Sequence, residues 1–213
     1  MNIKEKNIVL FARVFLFVIY LVGVIGISVP SLQPVYVDIT PVSLLISALL
    51  VLAFHETWNW KTAAVFLFIA LAGWLIEVIG VQTGNIFGHY NYGDTLGWQL
   101  AGVPLIIGVN WFILIYATWI VAGSITGRPV VRILLAALMM VLFDVIMEPV
   151  AVELDMWQWK EEGIPFENYG AWFGISVVFA TLIQLSRIRV SNPVAGYLLF
   201  YMVLFFGLLN FTI

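Results

Sequence analysis

Long apolar runs broken by short polar punctuation dominate the chain. Seven are long enough to cross the ~30 Å hydrocarbon layer, which takes about 20 helical residues each. They are read as 8–29, 40–56, 61–82, 99–123, 129–147, 170–189 and 192–212, the second being the shortest. Strands of a membrane barrel would alternate in polarity over segments of about 10 residues, and no such alternation is visible. The pattern therefore predicts an all-α polytopic membrane protein, one transmembrane helical domain over residues 1–213 with about seven helices. The runs stop at residues that end helices. Ser28-Val29-Pro30-Ser31 closes the first, and Pro34 and Pro41 are expected to stiffen the loop after it. Gly127-Arg128-Pro129 separates the fourth from the fifth, and Glu148-Pro149 closes the fifth. Asn192 is placed to cap the last helix, with Pro193 at its first position.

Composition supports this reading. The chain is 63% hydrophobic and 10% charged, too little charge to cover the surface of a soluble domain of this length. A net charge of −3 without a long basic run argues against nucleic-acid binding. The absence of cysteine excludes disulfides, thiolate catalysis and zinc–sulfur sites. Charge placement adds an orientation. With the N-terminus cytoplasmic, Lys4, Lys6, Arg13, Lys61, Arg128, Arg132, Arg187 and Arg189 all fall at cytoplasmic ends, and only Lys160 lies opposite. That asymmetry predicts a cytoplasmic N-terminus and a C-terminus outside. The first run is bulky and aromatic without a small-x-small site, so it is expected to be a retained span and not a cleaved signal.

Ionisable residues at membrane depth are costly and by default point to function. Glu77 falls inside the third run, Asp144 inside the fifth and Glu148 at its end, all in the outer half of the predicted topology. Asp144 and Glu148 are four residues apart and share one helix face. The ordinary alternative is helix–helix hydrogen bonding. Two carboxyls sharing a low-dielectric site rarely both ionise, so such a cluster can supply a Brønsted acid without metal or cofactor. Glycines 73, 80 and 84 lie near the face of Glu77, where small residues admit either another backbone or a flat ligand. The loop from Thr83 to Asp94, with His89, Tyr90 and Tyr92, is dense in aromatics and polar donors and is expected to fold back over the bundle. His89 is a candidate water holder or a solvent-facing loop residue, and His55 is expected at the interface. Asn110 and Trp111 lie within the fourth run. The first can hold an internal water or bond a neighbouring helix; the second can offer a π face to a cation. Trp157 and Trp159 suit the membrane interface.

Other chemistries fit less well. No metal-ligand spacing is present. Asp144-x-x-x-Glu148 resembles the magnesium-binding carboxylates of membrane prenyltransferases, but Lys and Arg partners for a diphosphate are almost absent at that end. The last run has no lysine for a retinal Schiff base.

In order along residues 73–172, Glu77-x-x-Gly80-x-x-Thr83-Gly84-x-x-Phe87-Gly88-x-Tyr90-x-Tyr92, Gly102-Val103-Pro104 with Trp111, Asp144-x-x-x-Glu148-Pro149, Trp157-x-Trp159 and Gly163-Ile164-Pro165-x-x-Asn168-Tyr169-x-x-Trp172 form a set. This set resembles the carotenoid biosynthesis membrane proteins, including the CruF-type carotenoid 1,2-hydratases that act on γ-carotene or bisanhydrobacterioruberin. The resemblance implies an acyclic ψ end as substrate, on lycopene, γ-carotene or a C50 relative. It also implies addition of water across the terminal 1,2 double bond to give a tertiary alcohol, with no cofactor. Glu77, Asp144 and Glu148 are then the acid–base candidates. Trp74, His89, Tyr90, Tyr92, Asn110, Trp111 and Asn168 are the candidates for holding substrate or water. The expected setting is the lipid bilayer of a bacterial cytoplasmic membrane, alongside other enzymes of carotenoid biosynthesis. Two alternatives stay open: a cyclase-type isomerase sharing the protonation step, and a non-catalytic carotenoid binder. A proton-coupled transporter is disfavoured by the lack of inverted repeats.

Overall fold

A computed structural model describes residues 3–213. Its helices are α1 (Ile3–Ser28), α2 (Gln33–Asp38), α3 (Thr40–Ala53), α4 (Trp60–Thr83), α5 (Ile106–Ile125), α6 (Pro129–Glu153), α7 (Phe166–Ser186) and α8 (Ala195–Thr212). Short strands β1 (Tyr90–Tyr92), β2 (Gln99–Leu100), β3 (Val103–Pro104) and β4 (Trp157–Trp159) lie in the connections. Seven helical stretches, with α2 and α3 counted as one, are long and apolar enough to cross a membrane. This is an all-α integral membrane protein, as the hydropathy pattern predicts.

α5 is the hub. It is apolar on every face and buried around its circumference, which is how a helix surrounded by other helices reads. It packs against α3, α4, α6, α7 and α8. α1 closes the bundle against α8, and α7 lies along α6.

Four local differences from the sequence reading matter. Residues 99–105 are not helical: β2 and β3 form a hairpin whose turn residues, Ala101 (φ 54°) and Gly102 (φ 79°), both adopt left-handed backbone. Such a two-residue turn reverses the chain, and α5 starts only after Pro104. In contrast, α6 runs through Pro149 to Glu153. Proline removes one backbone donor, but a packed membrane helix can absorb that loss. Glu148 is consequently a helix-interior residue, not a terminal one. Pro34 and Pro41 do not lie in a loop. They open α2 and α3, where a missing N–H costs nothing. Finally, α8 begins at Ala195, two residues beyond Pro193. Val194, not Asn192, is its N-cap, and the Asn192 side chain supports the approach to the helix by accepting from the N–H groups of Val194 (2.8 Å) and Ala195 (3.1 Å).

His55, in the connection between two spans, is turned into the protein. It is buried, with Nδ1 2.8 Å from the Tyr116 hydroxyl and Nε2 3.2 Å from the Thr57 carbonyl. A carbonyl only accepts, so Nε2 carries the hydrogen and Nδ1 accepts from Tyr116. Burial lowers the His55 pKa below its ordinary value, in keeping with this neutral tautomer.

Candidate active site

At the end of the bundle opposite His55, two loops meet as a short antiparallel ribbon. β1 pairs with β4 in the register Tyr90↔Trp159 and Tyr92↔Trp157. Alternate residues of a strand share a face, so all four aromatics can point the same way. Asn91 and Gln158 occupy the opposite, exposed face. The aromatic face is turned onto two glutamates from different helices. Tyr90 and Tyr92 hydroxyls both donate to Glu77 Oε2, the second at 2.9 Å. Trp157 and Trp159 indoles both donate to Glu148 Oε2, each at 3.0 Å. The ribbon is thus a lid carrying four hydrogen-bond donors.

Trp111 of α5 completes the shell of Glu77 with an indole donor to Oε1 at 2.9 Å. Its ring stacks on Trp172 of α7, centroids 4.4 Å apart. Gly73 makes this possible, since a Cβ there would lie 2.7 Å from Trp111 Cβ. Gly80 plays the same part for Phe87. The small-residue face of α4 therefore receives aromatic side chains of the protein itself. Burial, and next the Glu77 carboxyl, raise the pKa of both Tyr90 and Tyr92, so these hydroxyls remain donors.

Asn168 links the α6 pair. Its Nδ2 donates to Asp144 Oδ2 at 2.7 Å and makes a long 3.5 Å contact with Glu148 Oε1. Asp144 is fully buried, and its Oδ1 has no hydrogen-bond partner. Glu77, Glu148, Tyr90, Tyr92, Asn110, Trp111 and Asn168 all line one small polar pocket of about 30 Å³. Asp144 does not reach that wall; it sits behind Asn168. An apolar cavity of about 330 Å³ adjoins the pocket, walled by α1, α2, α3 and α8. The two share Ile107, Asn110, Met147 and Trp157. Asn110 stands at this junction, buried, with no side-chain hydrogen bond among the described residues.

Two candidates fall outside the cluster. His89 is exposed, its ring against Gly84, and it lines neither cavity. Trp74 donates to the Val103 carbonyl at 3.3 Å and so pins the β2–β3 hairpin to α4. Conversely, Trp157 and Trp159, expected to serve the interface, point their indoles at the Glu148 carboxyl. The Trp-x-Trp spacing, which puts both indoles on one strand face, is the signal that could have revealed them.

An apolar cavity ending on buried acids fits a long hydrocarbon with a reactive end. A family model for carotenoid biosynthesis proteins matches residues 39–212. The chain belongs to that family. Membership ties it to carotenoid biosynthesis. Over 112 residues it is 30% identical to a bisanhydrobacterioruberin hydratase from Haloarcula japonica, a match covering 49% of this chain and 38% of that relative. No solved structure matches the chain.

Proposed function

We propose that the protein is a carotenoid hydratase, adding water across the terminal double bond of an acyclic carotenoid end. The observation that carries this reading is the junction itself. A hydrocarbon-lined cavity leads past an unpartnered buried amide to two glutamates clamped by one ribbon. The similarity to a protein named as a hydratase supports it.

In this mechanism Glu148 is the acid. Both indoles use Oε2, and Oε1 receives only the long 3.5 Å contact from Asn168, which leaves it able to carry a proton. That proton passes to C2 of the terminal alkene, and the C1 carbon becomes a tertiary cation. Glu77 accepts three hydrogen bonds and faces the same pocket as the anion that stabilises the cation. The Trp111 ring adds its π face. Asn110 holds the water that attacks C1. Glu77 takes the proton that this water loses, and exchange between the glutamates returns it to Glu148. One alkene and one water give one tertiary alcohol, with no net change in the protein. Asp144, withdrawn from the wall, acts as a positioning residue: it holds Asn168 against Glu148.

Expression in cells that accumulate an acyclic carotene, followed by mass analysis of the pigments, tests the reading. A gain of one water is expected. A pigment of unchanged mass and altered absorption would instead indicate a cyclase-type isomerase, and no new pigment a binder.

A further inference from the structure

The apolar cavity opens sideways. Three of its wall residues, Val22 of α1, Ile39 between α2 and α3, and Val42 of α3, are 43%, 44% and 55% exposed. Exposed apolar residues on membrane-crossing helices face lipid, so the mouth is a bilayer mouth and not a water-filled one. Its far wall is the junction with the glutamate pocket. At about 330 Å³ the cavity is at the small end of those that enclose a drug-sized molecule. A C40 polyene is far longer than that.

From this geometry we propose that the cavity is a lateral entry site that reads only the terminal segment of the polyene, leaving the rest of the chain and its distal end in the bilayer. This rests on the hydratase reading for the identity of the reacting end. Two consequences follow. The protein is indifferent to the distal end group. A substrate with two acyclic ends is processed one end per encounter, because the second end must leave the bilayer and enter the same mouth.

The test uses the purified full chain in lipid nanodiscs with two probes, a carotene with two acyclic ends and one with a single acyclic end and a ring at the other. Turnover per acyclic end is expected to agree within about twofold between probes, and the singly hydrated product of the symmetric probe should build up before the doubly hydrated one. A roughly tenfold loss with the ringed probe, or doubly hydrated product from the outset, overturns the proposal. Pigment retained by the protein gives a readout independent of hydration. Val42→Trp, at the mouth, should lower both retention and turnover. Leu45→Trp is the control, being similarly exposed on α3 but off the cavity wall. Equal behaviour of the two variants refutes the entry site. If neither probe gains water, while Val42→Trp alone loses pigment, the entry site stands and the hydratase reading falls.

Discussion

Glu148 and Glu77 differ in how their oxygens are used, and that difference sets what each can do. Glu77 has donors on both oxygens, whereas the two indoles on Glu148 share one. Glu148→Gln removes the transferable proton and should cost about 10²–10⁴ in turnover with pigment binding retained, measured by product formation in membranes. Asn110→Leu keeps the apolar wall but removes the side-chain amide at the junction of the cavities. Binding should survive and hydrated product should fall, with isomerised pigment a telling by-product. His89→Ala should stay within about twofold of the parent, since its ring touches Gly84 and neither cavity. The three acids stood out in the sequence because charge is rare inside apolar runs. Trp157-x-Trp159 is visible as a motif, but its role is not, because a tryptophan beside a span has a common interfacial use. Asp144, at membrane depth, carries the same sequence signal as Glu77, and only the packing of Asn168 across it shows that it lies off the wall.

Among the elements, the β1–β4 ribbon matters most, since it joins two loops far apart in sequence and aims four donors at two helices. Its pairing could not be read from the chain: three-residue strands carry too little periodicity. The α6 helix past Pro149 was similarly hidden, because proline stops an isolated helix but not one whose neighbours hold it. Hydropathy did place all seven spans, with errors confined to their ends. At the opposite end of the bundle, His55 fixes the α3–α4 connection to α5. A histidine whose folded pKa lies below its unfolded one favours folding only while neutral. Its contribution is therefore complete above about pH 6.5 and is lost as the pH falls below that value. His55→Phe leaves the buried Tyr116 hydroxyl without its acceptor and should cost roughly 1–3 kcal/mol. Thermal unfolding in detergent across this pH range should show a lower Tm for the variant, with less loss on acidification than the parent.

For the whole molecule, the proposed chemistry needs a bundle whose apolar cavity meets lipid on one side and whose paired acids lie beneath a donor-bearing ribbon at one end. In the proposed reaction, water would meet the cation beside Asn110 and the hydrocarbon would arrive from the membrane. The positive-inside pattern would put the ribbon end outside the cytoplasm. The measurement that tests the central claim most directly is turnover of an acyclic carotene by the purified protein in heavy-oxygen deuterated water. The account predicts a product carrying one heavy oxygen on the tertiary carbon and one deuterium on the adjacent C2, and loss of that product in Glu148→Gln. Hydration that persists undiminished in a correctly inserted Glu77→Gln, Glu148→Gln double variant would contradict it.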